Sequence, residues 1–203
     1  MMKQQDLHEV IRDVLGARSP RPIQEQKFHY VHAAVLIPLF NKNGEYRILF
    51  TKRTTQVETH KGQISFPGGA VDKEDRALEE TALREAYEEI GLLKKDVKIL
   101  GQIDDTTTVV SNFVVHPFVG LIPYPYNFRI NSEEVDRLIE VPFNVFLSDD
   151  PRYKRNSAEF EGVTYPPPAY LYHGDLIWGA TARILENFME ILREKLGLPV
   201  KTD

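Results

Sequence analysis

The 203-residue chain contains no cysteine. That absence excludes a disulfide-framed secreted domain, thiolate zinc sites and cysteine nucleophiles. Long apolar runs are also missing. The longest, Ala33 to Phe40, has eight residues including Pro38, far below the roughly 20 that a spanning helix needs. The opening residues Met1 to Gln5 are polar, and Asp6, Glu9, Arg12 and Asp13 interrupt any export-type apolar core, so a cytoplasmic protein with no membrane partner is expected. Positive charge is in deficit: 25 Lys and Arg against 30 Asp and Glu give a net −5, which argues against a nucleic-acid partner. What remains is 42 % hydrophobic and 27 % charged, the composition of a folded domain. The length suits one domain with an embellishment.

Leu7, Val10, Ile11 and Val14 recur at helical spacing. The first 25 residues are therefore expected to form a helical appendage to a domain over 26–203, with a homodimer contact as the alternative role. Val31 to Phe40 is β-rich, Asn41-Lys42-Asn43-Gly44 is a hairpin turn, and Tyr46 to Thr51 returns as the partner strand. Residues 76–90 are the most helical stretch and end at Gly91. Val97 to Ile103 and Phe113 to Ile122 read as strands, and Ser132 to Ile139 as a short helix capped by Ser132. Asp149 to Tyr170 is turn- and proline-rich, with short strands at most. A last helix is expected over Gly179 to Leu196, burying Ala182, Leu185, Phe188, Met189 and Leu192. Interleaved strands and helices point to an α/β fold, a mixed sheet between helices.

The chemistry lies in Arg84-Glu85-Ala86-Tyr87-Glu88-Glu89-Ile90-Gly91-Leu92. At about 100° per residue, Glu85, Glu88 and Glu89 fall within an arc of about 100° beside the apolar face. Like charges at this spacing repel, and the helix C-terminus disfavours anions. A helix that accepts both penalties calls for a cation, the alternative being a solvated acidic face. Three carboxylates without His or Cys suit Mg²⁺ or Mn²⁺, and such ions most often serve phosphate-bearing substrates. Phe66-Pro67-Gly68-Gly69 stands just upstream; its glycines allow close backbone approach, and the Gly69 carbonyl can add a neutral oxygen ligand.

Gly69 to Leu92 resembles the Nudix box, G-x5-E-x7-R-E-U-x-E-E-x-G-U with U apolar. Every fixed position from Arg84 to Leu92 matches. Gly69 lies 15 residues before Arg84 where the box has 14, so the early glutamate is represented by Asp75 or not at all. The resemblance implies a Nudix α/β/α sandwich with a mixed β-sheet. It also implies metal-dependent cleavage of a nucleoside diphosphate linked to another group. Carried onto matching positions, it makes Glu85, Glu88 and Glu89 metal ligands and has Arg84 orient a carboxylate through a bidentate pair.

Leu49-Phe50-Thr51-Lys52-Arg53, then Gly62 and Phe66-Pro67-Gly68-Gly69, is similar to the extra motif of coenzyme A diphosphatases, LLTxR(S/A)x3Rx3Gx3FPGG. Thr54 replaces Ser or Ala, and Glu58 stands where that motif has its second Arg. Ile177 to Leu185 resembles the same group's closing helix. The implied reaction splits coenzyme A or an acyl-CoA into 3′,5′-ADP and 4′-phosphopantetheine or its acyl derivative. The general base is then Glu85 or Glu88 inside the cluster, or Glu134, ranked above Glu133, outside it. Arg53, His60 and Lys61 are the candidates for binding substrate phosphate. The alternatives are the same chemistry on ADP-ribose, NADH or a nucleoside triphosphate, and a nucleotide-sensing module without turnover.

Overall fold

The computed structural model describes residues 6–23, 30–54, 62–108, 112–148, 150, 152–155, 157–160 and 162–196. The fold is organised around β1 (Val31–Lys42), whose residues alternate between two apolar surroundings. Ala34, Leu36 and Phe40 face one core cluster, whereas Ile37 and Leu39 face another. A strand buried on both sides must sit centrally in a sheet covered by helices, and β1 does. The Asn43-Gly44 turn, closed by the Gly44 N–H donating to Asn41 Oδ1 at 2.7 Å, returns the chain as β2 (Glu45–Arg53), antiparallel to β1. β3 (Ile64–Ser65) pairs with β2, and β4 (Gly68–Ala70) lies antiparallel along the start of β1, Gly69 opposite Ala34.

After α2 (Leu78–Ile90), β5 (Lys98–Gln102) and β6 (Thr106–Thr107) pair with β7 (Phe113–Leu121). β7 runs parallel to β1 from Val31 opposite Phe113 to Leu39 opposite Leu121. β8 (Val135–Pro142) closes the eight-stranded mixed sheet against β2. Ala82, Leu83, Ala86 and Ile90 of α2 cover one face. The other is covered by α1 (Leu7–Gly16) and α4 (Gly179–Leu196), with all five expected stripe residues of α4 fully buried. α1 buries Ile11, Val14 and Leu15, and the segment after it is tied down by an Arg18–Asp104 ion pair and by the Arg21 N–H donating to Asp104 at 2.9 Å. Between β8 and α4 lie the one-turn α3 (Asn144–Leu147), the strands β9 (Lys154–Arg155), β12 (Ala169–Tyr172) and β13 (Asp175–Ile177) in one small sheet, and the hairpin of β10 (Ala158–Phe160) with β11 (Val163–Tyr165). No described helix is long and apolar enough to cross a membrane.

One expected element is wrong. Ser132 to Ile139 is not a helix: residues 132–134 form a turn, and Val135 begins β8. The apolar spacing of Val135, Leu138 and Ile139 that mimics a helix arises because the sheet is buried on both faces. Ile139 joins the α1/α4 core and Leu138 packs against the α2 core. The helix expected over 76–90 begins two residues later, at Leu78.

Candidate active site

α2 ends where the sequence stops it. Gly91 takes φ 68°, a left-handed conformation that costs glycine little, and its N–H donates to Tyr87 O at 2.8 Å. The following loop supplies two more donors: Arg129 N–H reaches Ile90 O at 3.0 Å, and Asn131 N–H reaches Glu89 O at 2.8 Å. The acidic end of the helix is thereby held by backbone donors that offset its exposed carbonyl dipoles.

Arg84 is the hub of the acidic cluster. Its Nε and Nη2 donate to the two oxygens of Asp75 at 3.1 and 3.0 Å, a bidentate pair. Nη2 also donates to Ala70 O at 3.1 Å, while Nη1 donates to Glu85 Oε1 at 2.8 Å and Glu88 Oε2 at 3.0 Å. Asp75 accepts further bonds from Thr81 Oγ1 at 2.8 Å and the Asp72 N–H at 2.9 Å. The Arg84 guanidinium holds the Asp75 carboxyl down to about 2. Of the three carboxylates bonded to Arg84, Asp75 is the one held in a bidentate pair, despite the altered spacing.

The three glutamates occupy different environments. Glu88 is half exposed. Glu85 is half-buried against β4, and a Cβ placed on Gly69 would lie 2.5 Å from the Glu85 carboxyl carbon. Burial pushes the Glu85 carboxyl up, against the pull of Arg84. Glu89 is 3 % exposed, and burial pushes its carboxyl up to about 8, opposed by the Arg53 charge and a hydrogen bond from the Gly68 N–H. Glu85 and Glu134 add to the upward push on Glu89. Glu89 Oε2 has no hydrogen-bond partner among the described residues.

These positions bring Arg53, Gly69, Glu85, Glu89 and Glu134 around one end of α2. The turn bearing Glu134 is stitched to the end of β2, with the Thr54 N–H donating to Glu134 O at 2.9 Å and Thr54 Oγ1 to Glu133 O at 3.0 Å. Glu133 and Glu134 thus sit in a turn before a strand, not in the first turn of a helix. Among the described residues no three acidic or imidazole side chains already surround one point, since Glu85 and Glu88 share Arg84 Nη1 while Glu89 faces Gly68 and Arg53. The donor set nevertheless fits a hard divalent ion: carboxylates of graded exposure, a buried unpartnered oxygen on Glu89, and a glycine whose missing side chain leaves Glu85 in contact with the loop. His60, Lys61 and Glu58 lie outside the described residues. Thr81, Asp72 and Asn131 escape a reading of the sequence because each acts through loop contacts that leave no periodic trace.

The fold and this arginine-centred acidic helix define a class of phosphate-cleaving hydrolases, and the comparisons with known proteins agree. The NUDIX domain family matches residues 30–163. A protein from Yersinia enterocolitica, described as uncharacterized Nudix hydrolase NudL, is 39 % identical over 159 residues, covering 78 % of this chain and 80 % of that protein. One of the same description from Pectobacterium atrosepticum is 37 % identical over 169 residues, covering 83 % and 84 %. Among solved structures, RenU, a Nudix hydrolase from M. smegmatis, covers 87 % of this chain and 92 % of its own at TM-score 0.55 and 15 % identity. A MutT/nudix family protein from Enterococcus faecalis covers 96 % and 76 % at TM-score 0.55 and 14 % identity. The chain belongs to the Nudix hydrolase family. It is a pyrophosphohydrolase of that family, whose members generally use Mg²⁺ or Mn²⁺.

Proposed function

We propose that the protein cleaves the pyrophosphate of coenzyme A or an acyl-CoA, releasing 3′,5′-ADP and 4′-phosphopantetheine or its acyl derivative, in the cytoplasm. The observation that carries this reading is the placement of Arg53. Within the run from Leu49 through Gly69 that resembles the coenzyme A diphosphatase motif, residues 49–53, 64–65 and 68–69 belong to β2, β3 and β4. Arg53, at the end of β2, lies near enough to Glu89 for its charge to pull that carboxyl down, and its buried Nε has no hydrogen-bond partner among the described residues. A guanidinium beside the acidic helix suits a substrate phosphate.

Glu85, Glu88, Glu89 and the Gly69 carbonyl would hold Mg²⁺ or Mn²⁺, which supplies charge neutralisation on the pyrophosphate and a lowered pKa for bound water. Arg84 keeps Glu85 and Glu88 on one side of the helix and is itself fixed by Asp75. The Glu134 carboxylate takes the proton from the attacking water as its oxygen bonds to one phosphorus. The bridging P–O bond breaks, and the departing phosphate carries the electron pair. Arg53, together with His60 and Lys61, binds the phosphates of the substrate.

The test is a Mg²⁺-dependent turnover panel of coenzyme A, ADP-ribose, NADH and a nucleoside triphosphate. Coenzyme A is expected to have the highest kcat/KM. A value about tenfold higher for ADP-ribose or NADH, a gap of about 1.4 kcal/mol in transition-state binding, overturns the substrate assignment.

A further inference from the structure

We propose that Asn131 is a positioning residue for pyrophosphate cleavage, its side-chain amide holding the Glu134 carboxylate while its backbone is bonded to the end of the acidic helix. The inference rests on the reading above in which Glu134 receives the proton. It concerns a residue that no feature of the Nudix box includes.

Asn131 makes five hydrogen bonds that join two parts of the site. Its N–H donates to Glu89 O at 2.8 Å. Its own carbonyl accepts from the N–H groups of Glu134 at 3.1 Å and Val135 at 2.9 Å. Side-chain Oδ1 accepts from the Glu133 N–H at 3.2 Å, and Nδ2 donates to Glu134 Oε1 at 3.3 Å. The orientation of the amide is not arbitrary. Turned over, it would set an NH₂ group against the Glu133 N–H and a carbonyl oxygen against a carboxylate, losing both bonds.

This arrangement solves a mechanical problem. Glu134 projects from a surface turn on a side chain with three rotatable bonds, so its backbone position alone does not fix where its oxygens lie. The amide supplies that constraint. Because the same residue is bonded to Glu89 O, the carboxylate is referenced to the helix that carries Glu85 and Glu89, with one residue spanning both. The turn itself does not depend on the amide NH₂ group: Asn131 Oδ1 accepts from the Glu133 N–H, and Thr54 secures the carbonyls of Glu133 and Glu134 to β2. Side-chain changes at Asn131 can therefore alter the aim of Glu134 while the chain stays in place.

Asn131→Asp separates the two roles. It keeps an oxygen for the Glu133 N–H, as in an ordinary Asx turn, but replaces the donor to Glu134 by an anionic oxygen. The experiment measures kcat, KM and Tm with coenzyme A and Mg²⁺ for wild type, Asn131→Asp, Glu134→Gln and the double variant. Asn131→Asp is expected to keep Tm and KM and to lose at least about tenfold in kcat, against about 100-fold for Glu134→Gln. In the Glu134→Gln background the Asn131 change should remove nothing further, the non-additivity of two groups acting as one. An equal fold-loss in both backgrounds, or wild-type kcat in Asn131→Asp, overturns the proposal while leaving the enzymatic reading intact. Unchanged kcat in Glu134→Gln overturns both the role of Glu134 and that of Asn131. If wild type fails to turn over coenzyme A, the substrate assignment falls, and the same four proteins decide the Asn131 question on whichever panel substrate is cleaved.

Discussion

Adding a single methyl group to Gly69 should separate activity from stability. A Cβ there would lie 2.5 Å from Glu85 Cδ and 2.6 Å from each carboxylate oxygen, against an ordinary carbon contact of about 3.5–4.0 Å, so the carboxylate must retreat by about 1 Å. The obstructing atoms are the far end of a flexible side chain, so the fold can accommodate the change. The retreat breaks the 2.8 Å bond between Arg84 Nη1 and Glu85. Water can replace part of that bond, because Arg84 is 30 % exposed. The net cost is therefore expected to be about 1 kcal/mol, below the usual value for a charged hydrogen bond, and a Tm drop of about 2–4 °C. Catalysis is less forgiving: a misplacement of about 1 Å in a catalytic group costs on the order of 100-fold. Gly69→Ala should thus fold and melt nearly normally while kcat/KM in a Mg²⁺-dependent assay falls about 100-fold. Gly68→Ala is the contrast, because its Cβ would meet the Ala34 carbonyl oxygen at 2.5 Å and Val35 Cα at 2.7 Å, backbone that cannot swing aside, and it should lose folding. Gly69→Ala with wild-type kcat/KM would refute the argument that Glu85 must sit against the loop.

Glu88→Gln and Glu89→Gln should each remove most turnover while leaving the far-ultraviolet circular dichroism spectrum unchanged; full activity in both would end the case for a metal on this helix. The folded, metal-free protein keeps the Glu89 proton up to about pH 8, whereas an unfolded chain releases it near pH 4. Stability is therefore greatest below the unfolded value and declines as pH rises toward 8. Urea midpoints in EDTA at pH 5 and pH 8 should show a decline in wild type that Glu89→Gln lacks. Ile11 of α1 is fully buried, so Ile11→Ala should cost about 2–5 kcal/mol and lower Tm by roughly 5–15 °C in calorimetry, with kcat at 25 °C preserved.

Local signals in the sequence were reliable where one segment decides its own structure. The Asn-Gly turn, the Gly91 stop and the buried stripe of α4 depend on neighbours a few residues away, and all three appear as expected. Ser132 to Ile139 misleads because its apolar residues serve two cores on opposite faces of a sheet, which no single-face periodicity describes. The acidic cluster was legible only as an arc. Helical geometry places Glu85, Glu88 and Glu89 together, but it does not reveal that Glu89 is buried under β4 while Glu88 is half exposed. That difference comes from the position of the Gly-Gly strand across the helix, a tertiary fact. Asn131 was silent for the same reason: its partners are a helix end 42 residues earlier, Glu89, and its own turn.

The bidentate grip of Asp75 on Arg84 has a bearing on how such sequences are aligned. Aspartate is one methylene shorter than the glutamate of the Nudix pattern, and the stretch from Asp75 to Arg84 is one residue longer. Counted along the chain, these are two departures. At the guanidinium they are one exchange, a unit of backbone traded for a unit of side chain, because both oxygens still meet Nε and Nη2. Neither half of the trade makes sense without the other. Relatives with aspartate here should carry the longer connection and those with glutamate the shorter one, so a gap placed between Asp75 and Leu78 aligns the chemistry where a fixed spacing scatters it.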